Sequence, residues 1–461
     1  MTNTKTKKRI GLDMTEGNIL HQLIQFAIPL LLANLLQQLY NAVDMMVIGH
    51  YVGSSGTVGV SSGGEIATLA TFLATSFGSA GQIYVAQLAG SKDYTSISET
   101  IGTSFILTML LSVVCSVAGI AFCNVFLEWL NCPKEAFDQA KSYMIVVSLG
   151  LPFVFGYNAV CGILRGMGES RQPLLFVAVA AAANVIMDIL FVAVIPLKAT
   201  GTAIATVVSQ FASFAAAVIF LYRKKDQLGL DFSLKGMRIH MNHLMVLVRL
   251  GVPLAANSAL IHGTQTVCAS FVNSFGLVAS ATNSIGNKIN KLINVFTHSV
   301  NAGAGAMVGQ NIGARKFDRV NKIILTTSAL AACFAAISAV ISIAFPRQVF
   351  RLFTNDPEVI EFGVVFLKIS LIGIAISPLQ GSFSSVVTGS GNANLSFFSG
   401  ILDGVILRLG LSFLLAYTFE MGILGFFYGN VLGRFGPVIV GATYFFTGKW
   451  KTRKLLIDSA K

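Results

Sequence analysis

Twelve apolar runs, each long enough to cross a bilayer, follow one another along this chain with short polar connections between them. They cover 20–48, 57–83, 98–123, 137–159, 172–195, 200–222, 244–274, 278–306, 322–345, 360–380, 394–418 and 423–446. A helical span needs about 20 mostly apolar residues, because the bilayer core offers no water and a helix satisfies its own backbone groups. The pattern therefore predicts an all-α integral membrane protein with twelve transmembrane helices. The first run is long, carries a polar stripe and lacks a small-residue cleavage site, so it reads as a span and not as a signal peptide.

The runs fall into two similar sets of six. Shifted by 223 or 224 residues, the chain lies over itself. Phe26-Ala27-Ile28-Pro29-Leu30 falls on Leu250-Gly251-Val252-Pro253-Leu254, Val85 to Lys92 falls on Val308 to Arg315, and Gly166-Met167-Gly168 falls on Gly389-Ser390-Gly391. Six spans per half send both halves into the membrane in the same direction, related by an axis along the membrane normal. The expected organisation is a cytoplasmic tail (1–18), an N-lobe (19–222), a cytoplasmic linker (223–243), a C-lobe (244–447) and a cytoplasmic tail (448–461). Such a duplication predicts two pseudo-symmetric six-helix bundles with a cleft between them, exposed to each side of the membrane in turn.

Composition agrees with this reading. Only 11% of the 461 residues are charged, 54% are hydrophobic and the mean hydropathy is +0.73, against about a quarter charged in soluble proteins. The net charge of +12 sits in alternate connections: 22 Lys and Arg fall on one side, while Lys134, Lys141, Lys198, Arg347 and Arg351 fall on the other. The rich side is cytoplasmic by the positive-inside rule, and so are both termini. The basic runs read as topology signals and anionic-lipid contacts, and nucleic acid is not expected as a partner. The six cysteines are scattered without a CxxC, so neither metal nor disulfide is expected. His240 and His243 form an HxxH in a basic loop and read as solvated.

An ionisable residue inside a span costs at least ~2.5–3.5 kcal/mol at the helix centre and is a functional candidate by default. The first span carries Asn34, Gln37, Asn41 and Asp44 on one arc of about 80°. The fifth carries Asn184 and Asp188, one turn apart on one face, and Thr206 in the sixth could complete a cluster. Two carboxylates in one apolar pocket resist being charged together, since desolvation and like charge both penalise the second anion. Such a cluster takes up a proton, or holds a hard cation such as Na⁺ among oxygen donors. Glu65 lies near the outer end of its span.

The second half differs. Asp44 falls on Cys268, so no matching acid is present. The eighth span carries Asn283, Asn287, Asn290 and Asn294 on one face, bordered by Lys291 and His298, with Lys288 further round. This stripe is expected to line the cleft or to pack on other polar helices. Ser258, His262 and Gln265 form a lesser stripe, and Asp403 either pairs with Arg408 or leaves it to reach the interface. Pro29 and Pro253 sit inside helices, where bends are expected.

These residues resemble the multidrug and toxic compound extrusion (MATE) family over nearly the whole chain. The resemblance is carried by Pro29 with Gln38 and Asp44, by Gly81 to Asp93, by Leu164 to Gly168, by Asn184 with Asp188, and by Val308 to Lys316. It implies a V-shaped pair of six-helix bundles and efflux driven by H⁺ or Na⁺. Asp44, Asn184, Asp188 and Thr206 resemble the N-lobe cation site of the DinF-like branch, with Pro29 as the hinge of the first helix. The acids that other branches carry in the seventh and tenth spans are absent; His262 and Gln380 stand there.

The expected function is secondary active multidrug efflux against H⁺ or Na⁺, with Asn34, Gln37, Asn41, Asn283, Asn287, Asn290, Lys291 and Asn294 lining the substrate cleft. A flippase or exporter of a lipid-linked or amphipathic metabolite is the alternative. No P-loop, HExxH or nucleophile elbow suggests an enzyme, and no cofactor is expected. The expected partners are small-molecule substrates and membrane lipids. A monomer with many spans in a bacterial inner (plasma) membrane completes the expectation.

Overall fold

The computed structural model describes residues 10–195, 197–228, 230 and 238–459. Basic residues Lys5, Lys7, Lys8, Arg9, Lys235 and Lys461, and with them parts of the expected tails and linker, lie outside the described residues.

Every regular element among the described residues is helical. The first half runs α1 (Ile19–Tyr51), α2 (Ser54–Gly90), α3 (Tyr94–Ala121), α4 (Lys134–Gly166), α5 (Arg171–Asp188, extended by the π-helical Ile189–Val194) and α6 (Lys198–Arg223). The second runs α7 (Met241–Asn273), α8 (Leu277–Gly313), α9 (Phe317–Ala344) and α10 (Pro357–Gly389). It continues with α11 (Ala393–Gly400, then largely π-helical to Thr418) and with α12, built from Ile423–Leu432 and Phe435–Phe446. Ten of the twelve are long and apolar enough to span by composition. The other two, α2 and α8, are the longest at 37 residues each, and their Ser, Gly and Asn content lowers their hydropathy.

The duplication is written in the backbone. Lengths repeat at 33, 37, 28 and 33 residues for α1 to α4 and again for α7 to α10. Left-handed residues recur in pairs: Gly53 with Gly276, Lys92 with Arg315, Gly168 with Gly391, and Lys198 with Gly422. Lys92 and Arg315 close α2 and α8 at a conformation that costs a side chain about 1–2 kcal/mol, so the turn geometry persists in both copies without glycine.

The chain divides into two compact units: residues 1–13, 28–251 and 457–461 in one, and 14–27 and 252–456 in the other. Two of the four division points, at 27/28 and 251/252, fall just before an intrahelical proline, Pro29 or Pro253, although α1 and α7 continue as helix through it. The start of α1 thus packs in the second unit. Met14 N–H donates to Gln310 Oε1 at 3.1 Å, Asn311 Nδ2 donates to the Met14 carbonyl at 2.9 Å, and Leu23 and Phe26 lie against Gly303. In the repeat register 14–27 corresponds to 238–251, and that stretch packs in the first unit. There Thr103 Oγ1 accepts from His240 N–H at 3.1 Å, and Gly251 lies against Phe77.

Within the first unit α2 and α4 approach so closely that a Cβ on Gly162 would lie 2.0 Å from the Gly78 carbonyl oxygen. Glycine is required there by space. Phe155, Leu151, Ala70 and Ala74 fill the adjoining core. The second unit is centred on Phe350, Phe366, Leu367, Phe426 and Phe427.

Candidate ion and substrate site

Three helices of the first unit bring the expected acids together. Asn184 and Asp188 lie one turn apart on α5 and are buried, at 1% and 0% exposure. Asp188 is the last α-helical residue before the π segment, and short π segments are frequent at functional sites. Asp44 of α1 faces Asp188 within hydrogen-bonding reach. Asp44 Oδ1, both Asp188 carboxylate oxygens and Asn184 Oδ1 are buried and meet no hydrogen-bond donor among the described residues. A buried acceptor without a donor costs about 1–3 kcal/mol, and more if charged. The cluster is therefore short of positive charge, and an all-oxygen donor set suits a proton or a hard cation.

Thr206 of α6 joins this cluster through Tyr143, whose hydroxyl reaches it and which lies near both carboxylates. Tyr40 lies near Asp44 and reaches Gln37 and Gln210. Sequence reasoning did not select Tyr40, Tyr143 or Gln210. Gln210 was visible as the next residue on the Thr206 face, and Tyr40 borders the α1 stripe; Tyr143 gave no signal, because an aromatic in an apolar run reads as packing. Along α1, Gln37 and Asn41 are exposed, whereas Asn34 is half-buried. Glu65 is exposed.

In the second unit the asparagine stripe of α8 is largely committed to its own lobe. Asn287 Nδ2 donates to Asn283 Oδ1 at 3.1 Å, Asn290 Nδ2 to Ser370 Oγ at 3.3 Å, and Asn294 Nδ2 to the Asn290 carbonyl at 2.6 Å. Of the five α8 residues expected to line a cleft, only Lys291 is exposed. Asp403 and Arg408 form a buried ion pair at 2.8 Å, and Arg408 also bonds Asn430, so Arg408 does not reach the interface.

One expectation is corrected. His243 is not a solvated loop histidine but is buried at 5% exposure near the start of α7. Its Nε2 lies 2.8 Å from Glu99 Oε2 and its Nδ1 lies 2.8 Å from the Tyr84 hydroxyl. Glu99 and Tyr84 are remote in sequence, so no local pattern announced them. These side chains border a cavity of about 250 Å³ with Asp93 and His240. No group of three or more His, Cys, Asp or Glu among the described residues is placed to hold a metal ion.

The motifs have physical roles. Gly166 packs on the Gln82 carbonyl, where a Cβ would lie 2.6 Å from the oxygen, and Arg165 Nε donates to Gln82 Oε1 at 3.0 Å. In the second copy Lys316 Nζ donates to the Thr15 carbonyl at 3.1 Å, and Arg319 Nη2 donates to the Gly17 carbonyl at 2.8 Å. The 308–316 motif therefore anchors the segment leading into α1.

The MatE family model matches residues 29–190 and 253–432, one match in each half. The chain belongs to the MatE family. Relatives of this MatE protein include "Probable multidrug resistance protein YoeA" of Bacillus subtilis, 26% identical, with 88% of each chain covered. A solved multidrug resistance MATE family transporter in an outward-facing conformation superposes with a TM-score of 0.88 at 19% identity, covering 96% of this chain and 99% of that one. A superfamily transporter from Pyrococcus furiosus, described as having a binding pocket of reverse polarity, gives 0.88 at 19% identity over 96% and 98%. The fold is thus the twelve-helix, two-lobe membrane fold, and the MatE protein is a transporter and not an enzyme.

Proposed function

We infer that this MatE protein is a secondary active multidrug exporter, an antiporter of amphipathic, often cationic small molecules against H⁺ or Na⁺. Coupling runs through Asp44 and Asp188, with Asn184 and Thr206 completing the oxygen set, as in the DinF-like branch. The observation that carries the reading is the facing carboxylate pair on α1 and α5: Asp188 is buried with neither oxygen meeting a donor, and half-buried Asp44 turns a buried, donor-less Oδ1 into the same cluster. Two adjacent anions in an apolar lobe are unfavourable, so the site gains most from one proton or one hard cation. An ion that neutralises Asp44 relieves repulsion between α1 and α5, and Pro29 supplies α1 with a place to bend, since it removes one backbone bond. Alternating access then follows from preferring different α1 conformations with and without the ion.

The names of the relatives support multidrug export, and the lobes of the reading are 19–222 and 244–447, joined by 223–243. The protein is a monomer in the bacterial plasma membrane with both termini cytoplasmic, as the Lys and Arg asymmetry argues. Ethidium flux in everted vesicles under an imposed pH or Na⁺ gradient tests this. Flux that follows one gradient and vanishes in Asp188→Asn is expected. Undiminished coupled flux in Asp188→Asn rejects the coupling site, and absence of flux under both gradients rejects the exporter in favour of a lipid or metabolite flippase.

A further inference from the structure

The duplicated chain carries the acid cluster only once, and its counterpart in the second unit has the opposite charge. The register there is fixed by geometry. Left-handed Lys198 and Gly422 are 224 residues apart. Gly201 packs on the Phe191 carbonyl and Gly425 on the Leu415–Ala416 peptide, again 224 apart in both partners. At that offset Asp44 becomes Cys268, Asp188 becomes Ser412, Asn184 becomes Arg408, Thr206 becomes Asn430 and Gln210 becomes Arg434. The correspondence holds in space, since Cys268 lies within reach of Ser412 and near Arg408. Both carboxylates are gone, and two amide positions have become guanidiniums.

Arg408 is neutralised by Asp403. Arg434 has no carboxylate within ion-pairing distance among the described residues; Asp403 lies close enough to act on it electrostatically but makes its direct ion pair with Arg408. It sits in the turn that interrupts α12 mid-span, and its Nη1 donates only to neutral oxygens, Asn294 Oδ1 and the Gly373 carbonyl, both at 3.4 Å. Its side chain is partly exposed, His298 lies beside it, and exposed Lys291 is one turn before Asn294 on α8. Lys291 and His298 thus lie one turn to either side of Asn294, the residue that Arg434 contacts, and Lys291 also lies near His262 of α7. A lipid-facing position for Arg434 and Lys291 is too costly, so this face is wetted.

We propose that Arg434, with Lys291 and His298, forms an anion-recognition site in the second lobe that takes the carboxylate of an amphipathic small-molecule substrate. This deepens the exporter reading and rests on it: the substrates are zwitterions and organic anions as well as cations. The planar guanidinium fork accepts a carboxylate through two parallel hydrogen bonds, which the distant neutral acceptors do not use up. An arriving anion also gives Arg434 the direct ion pair that Asp403, bonded to Arg408, does not make.

The test measures binding, separately from transport. Purified protein in phosphatidylcholine nanodiscs is titrated with norfloxacin and with norfloxacin ethyl ester, which lacks the carboxylate. Wild type is expected to bind the acid at least about tenfold more tightly than the ester. Arg434→Gln should remove that preference while leaving ester affinity unchanged, and Arg434→Lys should restore it in part. Lys291→Gln, on an exposed position, should reduce the preference without touching the core, and it serves if Arg434→Gln does not fold. Equal affinity for acid and ester in wild type, or a preference that survives both Gln variants, overturns the proposal. Arg434-dependent loss of acid binding when phosphatidylglycerol is added to the nanodiscs assigns the site to a lipid phosphate and overturns it too. Loss of ion-driven ethidium flux with the acid preference intact removes the exporter reading and keeps the site.

Discussion

Asp188 is wholly buried, and neither of its carboxylate oxygens meets a donor. Asn in its place is nearly isosteric and removes the charge, so Asp188→Asn should fold normally while binding neither proton nor Na⁺. Asp403 and Arg408 make the opposite case, a carboxylate already satisfied by a tethered cation. Arg408→Leu leaves Asp403 buried and unpaired and should cost about 3–5 kcal/mol. The double change Arg408→Leu with Asp403→Leu should recover most of that, as read by thermal unfolding in detergent. His243→Ala removes the partner of the Tyr84 hydroxyl and leaves Glu99 only the longer contact to His240 at 3.7 Å, and should cost about 1–3 kcal/mol by the same measurement, with ion coupling intact. Asp44, Asn184, Asp188 and Thr206 were legible because a polar side chain in an apolar span stands out by its cost. Tyr143 and Tyr84 were not, because an aromatic ring is equally at home in a greasy helix, and His243 was misread because its partners come from α2 and α3.

At the scale of elements, the helices and their order could be read from hydropathy alone, since a bilayer leaves the backbone few alternatives. The π segments after Asp188 and around Asp403 could not, because an apolar run does not reveal whether a carbonyl bonds four or five residues on. The close crossing of α2 and α4 was also hidden among 44 glycines, and only the structure shows which of them are contacts. Gly162→Ala pushes a methyl into the Gly78 carbonyl and should cost about 1–3 kcal/mol, read as a fall in melting temperature, whereas Gly305→Ala, which meets open space, should be silent. Pro29→Ala restores a backbone bond in α1 and should lower transport rate without lowering melting temperature, checked by ethidium flux against unfolding in the same preparation.

Over the whole molecule, the duplication read from three sequence matches extends to helix lengths, left-handed turns and intrahelical prolines. The division of charge between the lobes was only partly visible. The loss of Asp44 in the second copy could be read from the alignment, but the substitution of guanidiniums for amides required the 224-residue register that the glycine contacts fix. The central claim is that Asp44 and Asp188 exchange an ion for a drug. It is tested most directly by adding ethidium to weakly buffered, purified protein and recording released protons with a pH dye and released ²²Na⁺ by scintillation. Binding of ethidium is followed by its fluorescence. The account predicts release of one of the two ions with ethidium binding in wild type and none in Asp188→Asn. Ethidium binding that releases neither ion from wild type, or equal release from Asp188→Asn, would contradict it.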